Sequence, residues 1–261
     1  MGAQRAPLEG RTVLVTRPQD QAQGLRTALQ ALGATVHAVP VIRIRALEDP
    51  GALRRAASQL GTYHWLVFTS RNGVFALAEQ LPSPEPLPEG VRVACIGPAT
   101  AEAVRQLGWP VHLQPSQYVA ESLVEAFQEV GMGGRRVLLV RAQEARGALP
   151  EGLRRLGAQV EVVCAYRTEP AYNEAGRLQE VLRQGVDVTT FCSPSAVRAA
   201  VQLCGGATLL LEAVPAVCIG PVTASAALRA GLRVAAVAHP HTQEGLVEAV
   251  VRFVRGQGGQ P

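Results

Sequence analysis

Residues 94–100 read Ala-Cys-Ile-Gly-Pro-Ala-Thr, and residues 217–223 read Val-Cys-Ile-Gly-Pro-Val-Thr, an offset of 123. Working outward, Phe68-Thr69-Ser70-Arg71-Asn72-Gly73-Val74 aligns at the same offset with Phe191-Cys192-Ser193-Pro194-Ser195-Ala196-Val197. Leu-Val-Glu-Ala occurs at residues 123–126 and again at 246–249. Nearer the start the offset becomes 124: Val-Leu-Val-Thr-Arg ends at Arg17, and Val-Leu-Leu-Val-Arg ends at Arg141. Leu32-Gly33-Ala34 pairs with Leu156-Gly157-Ala158 in the same way. Ordered matches with a single one-residue slip are the signature of an internal duplication.

Each copy alternates short apolar runs with segments of helical period. In the first copy, strands are predicted at residues 12–16, 35–39, 65–69, 92–96 and 111–113, and helices at 22–32, 52–60, 73–81, 99–107 and 120–130. Ala22, Leu25, Leu29 and Leu32 lie three or four apart, which is one face of a helix, and Gly33 suits its C-terminal cap. The second copy predicts strands at 137–140, 159–165, 188–191, 216–219 and 233–237. Strands this apolar, each followed by a helix, belong in a parallel sheet covered on both faces. The expected fold is therefore α/β, with two doubly wound domains.

Composition narrows the chemistry. The chain has 261 residues, 48% hydrophobic and 18% charged, with a net charge of +4 and a pI near 9.0. At roughly 150 residues per domain this length suits about one and a half to two domains. All 25 basic residues are arginine. Without lysine there is no Schiff base, no pyridoxal phosphate attachment and no phosphate loop of the lysine type. Asp20, Asp49 and Asp187 are scattered, and His37, His64, His112, His239 and His241 form no metal-protease motif. The five cysteines include no C-x-x-C pair, which suits a reduced, cytoplasmic protein. No signal peptide is evident, and no apolar run approaches the roughly 18 residues of a membrane span. Aromatic residues are 4% and the arginines are dispersed, so no nucleic-acid surface is expected. Neither metal nor cofactor is expected.

Candidate site residues lie in the loops after strands, where open parallel sheets bind ligands. Gly97-Pro98 and Gly220-Pro221 read as a helix cap followed by proline at the first helical position, and Ser193-Pro194 reads likewise. Helix starts carry free N–H groups and partial positive charge, so they can hold anions. Thr100 and Thr223 sit in the first turns of their helices; Ser70, Arg71 and Asn72 open the related helix of the first copy, and Ser195 follows Ser193. Such sequences are also ordinary helix starts; what distinguishes them is their joint placement, which would line a cleft if the domains form one. Tyr166 ends the apolar run 160–165, where a phenol could donate a proton or sit as an interface residue.

Taken together, VLVTRP at the start, WLVFTSRNGV, ACIGPATAEAV, AYRT at 165–168, TTFCSPSAV, AVCIGPVTASAAL and HTQEGLVEAV resemble the uroporphyrinogen-III synthase family over nearly the whole chain. The resemblance implies two flavodoxin-like domains joined by a two-stranded linker: 1–38 with 168–261, and 45–163, with linker strands 39–44 and 164–167. It implies cyclisation of hydroxymethylbilane, with loss of water and inversion of ring D, and no cofactor. The family's implicated tyrosine matches Tyr166. Its binding loops match Ser70, Ser193 to Ser195 and Ile219 to Thr223, while Val222 departs from the threonine of some relatives. A soluble cytoplasmic monomer acting on a linear tetrapyrrole, without nucleic-acid or membrane partners, is expected. The alternative from another class is a non-catalytic two-domain binder of small anions.

Overall fold

The computed structural model describes residues 6–83, 86–145 and 147–257. The chain begins β1 (Thr12–Val15), α1 (Gln19–Ala31), β2 (Thr35–Ala38), β3 (Ile42–Ala46), α2 (Gly51–Ser58) and β4 (Trp65–Phe68). It continues through α3 (Arg71–Ala78), β5 (Arg92–Cys95), α4 (Pro98–Gln106) and α5 (Ala120–Val130). The second half starts β6 (Arg136–Ala142), α6 (Ala148–Arg155), β7 (Gln159–Pro170), α7 (Ala175–Gln184) and β8 (Val188–Phe191). It closes with α8 (Pro194–Cys204), α9 (Thr208–Ala213), β9 (Ala216–Cys218), α10 (Pro221–Arg229), β10 (Val234–Val237) and α11 (Gln243–Gln257).

Two compact units result, residues 1–43 with 169–261 and residues 44–168. The first carries a five-stranded sheet of order β10-β9-β8-β1-β2, and the second carries β3-β7-β6-β4-β5. The registered pairs on either side of β1, β4, β6, β8 and β9 are parallel. Read from the duplication, β1 corresponds to β6, β2 to β7, β4 to β8 and β5 to β9. Each sheet therefore joins the first β-α-β of one copy to the later strands of the other. Counted within the first unit, the strand order is 2-1-3-4-5, the flavodoxin-like winding, whose order reverses between β1 and β8. The chain passes between units within β3 and within β7.

Alternating strand residues build a core on each face of each sheet. Leu14 faces one cluster of the first unit, while Val13 and Val15 face the other. Leu66 and Phe68 are split in the same way from Trp65 and Val67 in the second unit. Burial on both faces is why these strands read as unbroken apolar runs. α1 ends where expected: Gly33 has φ 94°, a conformation that costs glycine no Cβ clash.

Some expectations need correction. No strand forms at residues 111–113; only Leu113 bridges to Ala94. The Nδ1 of His112 accepts the Val93 N–H at 3.0 Å, taking the place of a strand carbonyl. β7 does not end before Tyr166 but runs on to Pro170. The segment Pro194–Ala213 is, contrary to expectation, long and apolar enough by composition to span a membrane, at 20 residues and mean hydropathy 1.2. It is interrupted at Gly205, where φ is 50°, and Val197, Ala200 and Leu203 pack into the core of the first unit.

Candidate functional site

In the second unit the order of strands reverses at β6 and β4, and the candidate residues gather beyond their carboxyl ends. Ser70 caps α3: its Oγ accepts the Gly73 N–H at 3.2 Å. An added Cβ on Gly73 would touch Val140 at 3.4 Å, so glycine here lets α3 sit close on β6. Arg71 and Asn72 form the first turn, with the Arg71 guanidinium 5.7 Å from the Phe75 ring centroid.

Tyr166 reaches this point through a bulge. Arg141 is opposite Cys164, yet Ala142 is opposite Tyr166, so one residue is inserted in β7. Before the bulge, Val160 and Val162 face one core cluster and Val163 faces the other. A regular strand would send Tyr166 with Val160 and Val162; the inserted residue turns it to the side of Val163 and Ala165. There the phenol donates to the Ser70 Oγ at 2.8 Å, and the ring is only 8% exposed. Burial pushes the Tyr166 pKa up, while its side-chain hydrogen bonds with Ser70 and Asn72 pull it down and the Glu144 charge raises it. The result is a phenol held neutral.

Gly97 caps α4 with extended backbone, and Pro98 follows at the first helical position. The Gly97 carbonyl accepts both the Thr100 and Ala101 N–H groups, at 3.1 and 3.0 Å. Pro98 has no N–H, so the outward amide of this first turn is that of the exposed Ala99. Thr100 itself is 5% exposed. The anion-binding capacity expected across 97–100 is thus concentrated on one amide beside the cap.

The first unit repeats this construction. Ser193 caps α8 and accepts the Ala196 N–H at 3.1 Å, with Ser195 Oγ 2.9 Å from Ser193 Oγ. Gly220 caps α10, and its carbonyl takes the Thr223 and Ala224 N–H groups at 3.1 and 3.0 Å. Thr223 is 3% exposed, buried like Thr100. The structure therefore groups Ser70, Arg71, Asn72 and Tyr166 by direct contact or helical turn, and pairs Ser193 with Ser195. Gly97 to Thr100 and Gly220 to Thr223 stand at neighbouring strand ends of their own sheets.

Two residues beside these caps were not among the site candidates read from the sequence. The ring of His241 lies 3.6 Å from where a Gly220 Cβ would be, and the Tyr118 side chain lies 3.8 Å from the corresponding point on Gly97. They are again 123 residues apart. The duplication contained this signal, but the residue types differ and the alignment of identical letters passed over them. Among the described residues no group of three or more His, Cys, Asp or Glu side chains could hold a metal ion.

The sequence model of the family described as uroporphyrinogen-III synthase HemD matches residues 23–248. The uroporphyrinogen-III synthase of Synechococcus elongatus is 28% identical over 95% of this chain and 97% of its own length. A putative uroporphyrinogen-III synthase of Methanothermobacter thermautotrophicus is 29% identical over 80% and 85%. Among solved structures, a mutant uroporphyrinogen III synthase of Thermus thermophilus aligns with a TM-score of 0.66 at 21% identity, covering 95% of this chain and all of that one. The Helicobacter pylori uroporphyrinogen-III synthetase aligns with a TM-score of 0.61 at 18% identity, over 93% and 99%. These structures share the two-domain α/β fold. The reading as a non-catalytic anion binder is not supported by these likenesses.

Proposed function

The chain belongs to the uroporphyrinogen-III synthase family, the cyclising lyases of tetrapyrrole biosynthesis, and we propose that its strand-end loops and Tyr166 carry that reaction on hydroxymethylbilane. The observation that carries the assignment of residues is the Tyr166–Ser70 contact of 2.8 Å at the point where strand order reverses.

The linear substrate loses its terminal hydroxyl from ring A as water, leaving an azafulvene cation. The substituted α-carbon of ring D attacks, a spiro intermediate forms, and one pyrrole migrates before the macrocycle closes. Water is a far better leaving group than hydroxide, so a proton delivered to that oxygen lowers the barrier. Tyr166 can deliver a hydrogen bond there without losing Ser70. Rotation of both hydroxyls lets Ser70 donate to the phenol oxygen while the phenol donates to the substrate, and the Gly73 N–H holds Ser70 in place throughout. A neutral phenol suits this work.

The substrate's eight carboxylates need partners that fix one fold of a flexible molecule. Amides at the starts of α3, α4, α8 and α10, with the hydroxyls of Ser193 and Ser195, supply them in each unit. Holding ring D near the cation is an entropic contribution, and it selects the inverted product over spontaneous closure. The same reading takes the protein as a cytoplasmic monomer working on a free small molecule, with no cofactor, nucleic acid or membrane. Freshly generated hydroxymethylbilane, incubated with the protein and resolved by isomer, tests the proposal: isomer III in excess supports it, and isomer I alone refutes it.

A further inference from the structure

Arg17 is placed where the first unit's strand order reverses, and among the described residues nothing acidic claims it. β1 lies between β2 and β8, with Val15 opposite Thr190. The strand ends are tied on both sides: Thr16 Oγ1 donates to the Thr190 carbonyl at 2.7 Å, and Thr190 Oγ1 donates to the Leu14 carbonyl at 3.2 Å. Both threonines are fully buried, so these bonds form away from water and fix the exit of the chain. Arg17 is the next residue out, held between Thr16 and Pro18, which precedes α1. Across from it β8 ends at Phe191, and Cys192 leads into the Ser193 cap of α8.

The guanidinium is oriented by a neutral group. Arg17 Nη1 donates to Gln243 Oε1 at 3.3 Å, at the start of α11. Gln243 is itself seated against α1, where the side chain lies 3.0 Å from a Cβ added at Gly24. Among the described residues Arg17 forms no ion pair, whereas Arg11 pairs with Asp187 and Arg183 with Glu180 in the same unit. The Arg17 charge is also felt by the Cys192 thiol, whose pKa it lowers against the larger raising effect of burial. A cation steered by an amide, tied to a rigid strand end and left without a counter-charge, is prepared for an anionic ligand.

The duplication gives the position added meaning. Arg17 corresponds to Arg141 at the end of β6, and β6 adjoins the β4 end that carries Ser70. In both units an arginine stands at the carboxyl end of one strand, and the strand paired beside it leads into a serine-capped helix, Ser193 in one and Ser70 in the other.

We infer that Arg17 binds a carboxylate of the tetrapyrrole substrate, together with the helix start at Ser193–Ser195, and so sets affinity and the fold of the bound chain. This rests on the reading of the protein as a hydroxymethylbilane cyclase. Arg17 touches substrate acid arms in this account, and the reacting atoms are left to Tyr166.

The test compares wild type with Arg17→Gln and Arg17→Lys, and with Arg183→Gln as a control for net charge. Arg183 lies at the end of α7, before β8 begins, and so at the opposite end of the sheet. KM and kcat for hydroxymethylbilane are measured, along with Kd for uroporphyrin, an octacarboxylate probe that cannot turn over. Loss of one charged hydrogen-bonding partner predicts a KM and Kd raised about 10- to 100-fold in Arg17→Gln, with kcat nearly unchanged. Arg17→Lys should recover part of the loss, keeping charge but not the planar fork. Arg183→Gln should match wild type. KM and Kd within about twofold of wild type in Arg17→Gln would overturn the inference. So would a fall in kcat and thermal stability together that lysine fails to rescue. Wild type that makes no isomer III refutes the enzymatic reading instead, and uroporphyrin Kd still tests Arg17.

Discussion

Replacing Tyr166 by phenylalanine removes one oxygen from a site where everything else stays in contact. The ring is 8% exposed and packs with Val163 and Ala165, so its apolar area remains buried. What is lost is the 2.8 Å bond to Ser70, a hydroxyl that keeps the Gly73 N–H as a partner, together with the contact to the Asn72 side chain. A bond of this kind is worth about 0.5–1.5 kcal/mol net, so the second unit should lose about 1 kcal/mol of stability. That shifts a melting temperature by only a few degrees. Catalysis should suffer more, because proton transfer by a positioned side chain contributes about 10²- to 10⁴-fold. The interaction exists only as the hydroxyl departs, so kcat and kcat/KM should fall together by about a hundredfold with KM steady. Stopped assays under initial-rate conditions, with circular dichroism to confirm folding, separate the two effects. Unchanged turnover in a folded Tyr166→Phe protein would refute the role of the phenol. A rise in KM alone would make it a binding residue.

Further expectations follow from the same geometry. His112 accepts the Val93 N–H only while neutral, and burial first, then the Arg92 charge, lowers its pKa below the ordinary value of about 6.5. Below that value the unfolded chain binds the proton more readily, so its contribution is intact above pH 6.5 and is lost as pH falls towards the folded pKa. Urea midpoints measured from pH 7.5 to 5 should decline, and His112→Asn should flatten the slope; an unaltered slope would contradict the assignment. Gly245→Ala would drive its Cβ into the Pro240 carbonyl at the start of α11. It should cost about 1–3 kcal/mol in chemical denaturation, and a neutral substitution would show that the turn yields. Burial pushes the Cys95 and Cys218 thiols up to about 12 and Cys204 to about 11. All three should resist iodoacetamide at pH 8 until urea unfolds the protein, as read by peptide mass; labelling in the native state would contradict their burial.

The α/β class was legible because strands buried on both faces leave continuous apolar runs, as at Leu66 to Phe68 and Val137 to Val140. Helix starts were equally legible, since Ser70 and Ser193 accept amides three residues on, as their types suggest. The bulge before Tyr166 was not. Nothing in Val-Cys-Ala-Tyr distinguishes a regular strand from one with an inserted residue, and the register is set by the partner strand. Residues 111–113 were misread as a strand for a related reason: the His112 ring nitrogen satisfies the Val93 amide that a neighbouring strand would otherwise bind. Arg17 stood in plain view as the end of a repeated motif, yet its lack of an acidic partner among the described residues is a property of three-dimensional neighbours. The absence of lysine carries less than its prominence suggests, because the donors of the proposed site are mostly backbone amides and hydroxyls.

The central claim is that these loops force ring D to invert before the macrocycle closes. Hydroxymethylbilane closes unaided to isomer I, so the most direct measurement is the ratio of isomers III and I after brief incubation with the purified protein and oxidation to porphyrins. The account predicts isomer III as the dominant product, formed in proportion to enzyme, with the ratio collapsing towards isomer I in Tyr166→Phe as spontaneous closure overtakes the slowed enzyme. A wild-type mixture indistinguishable from the protein-free control would contradict it.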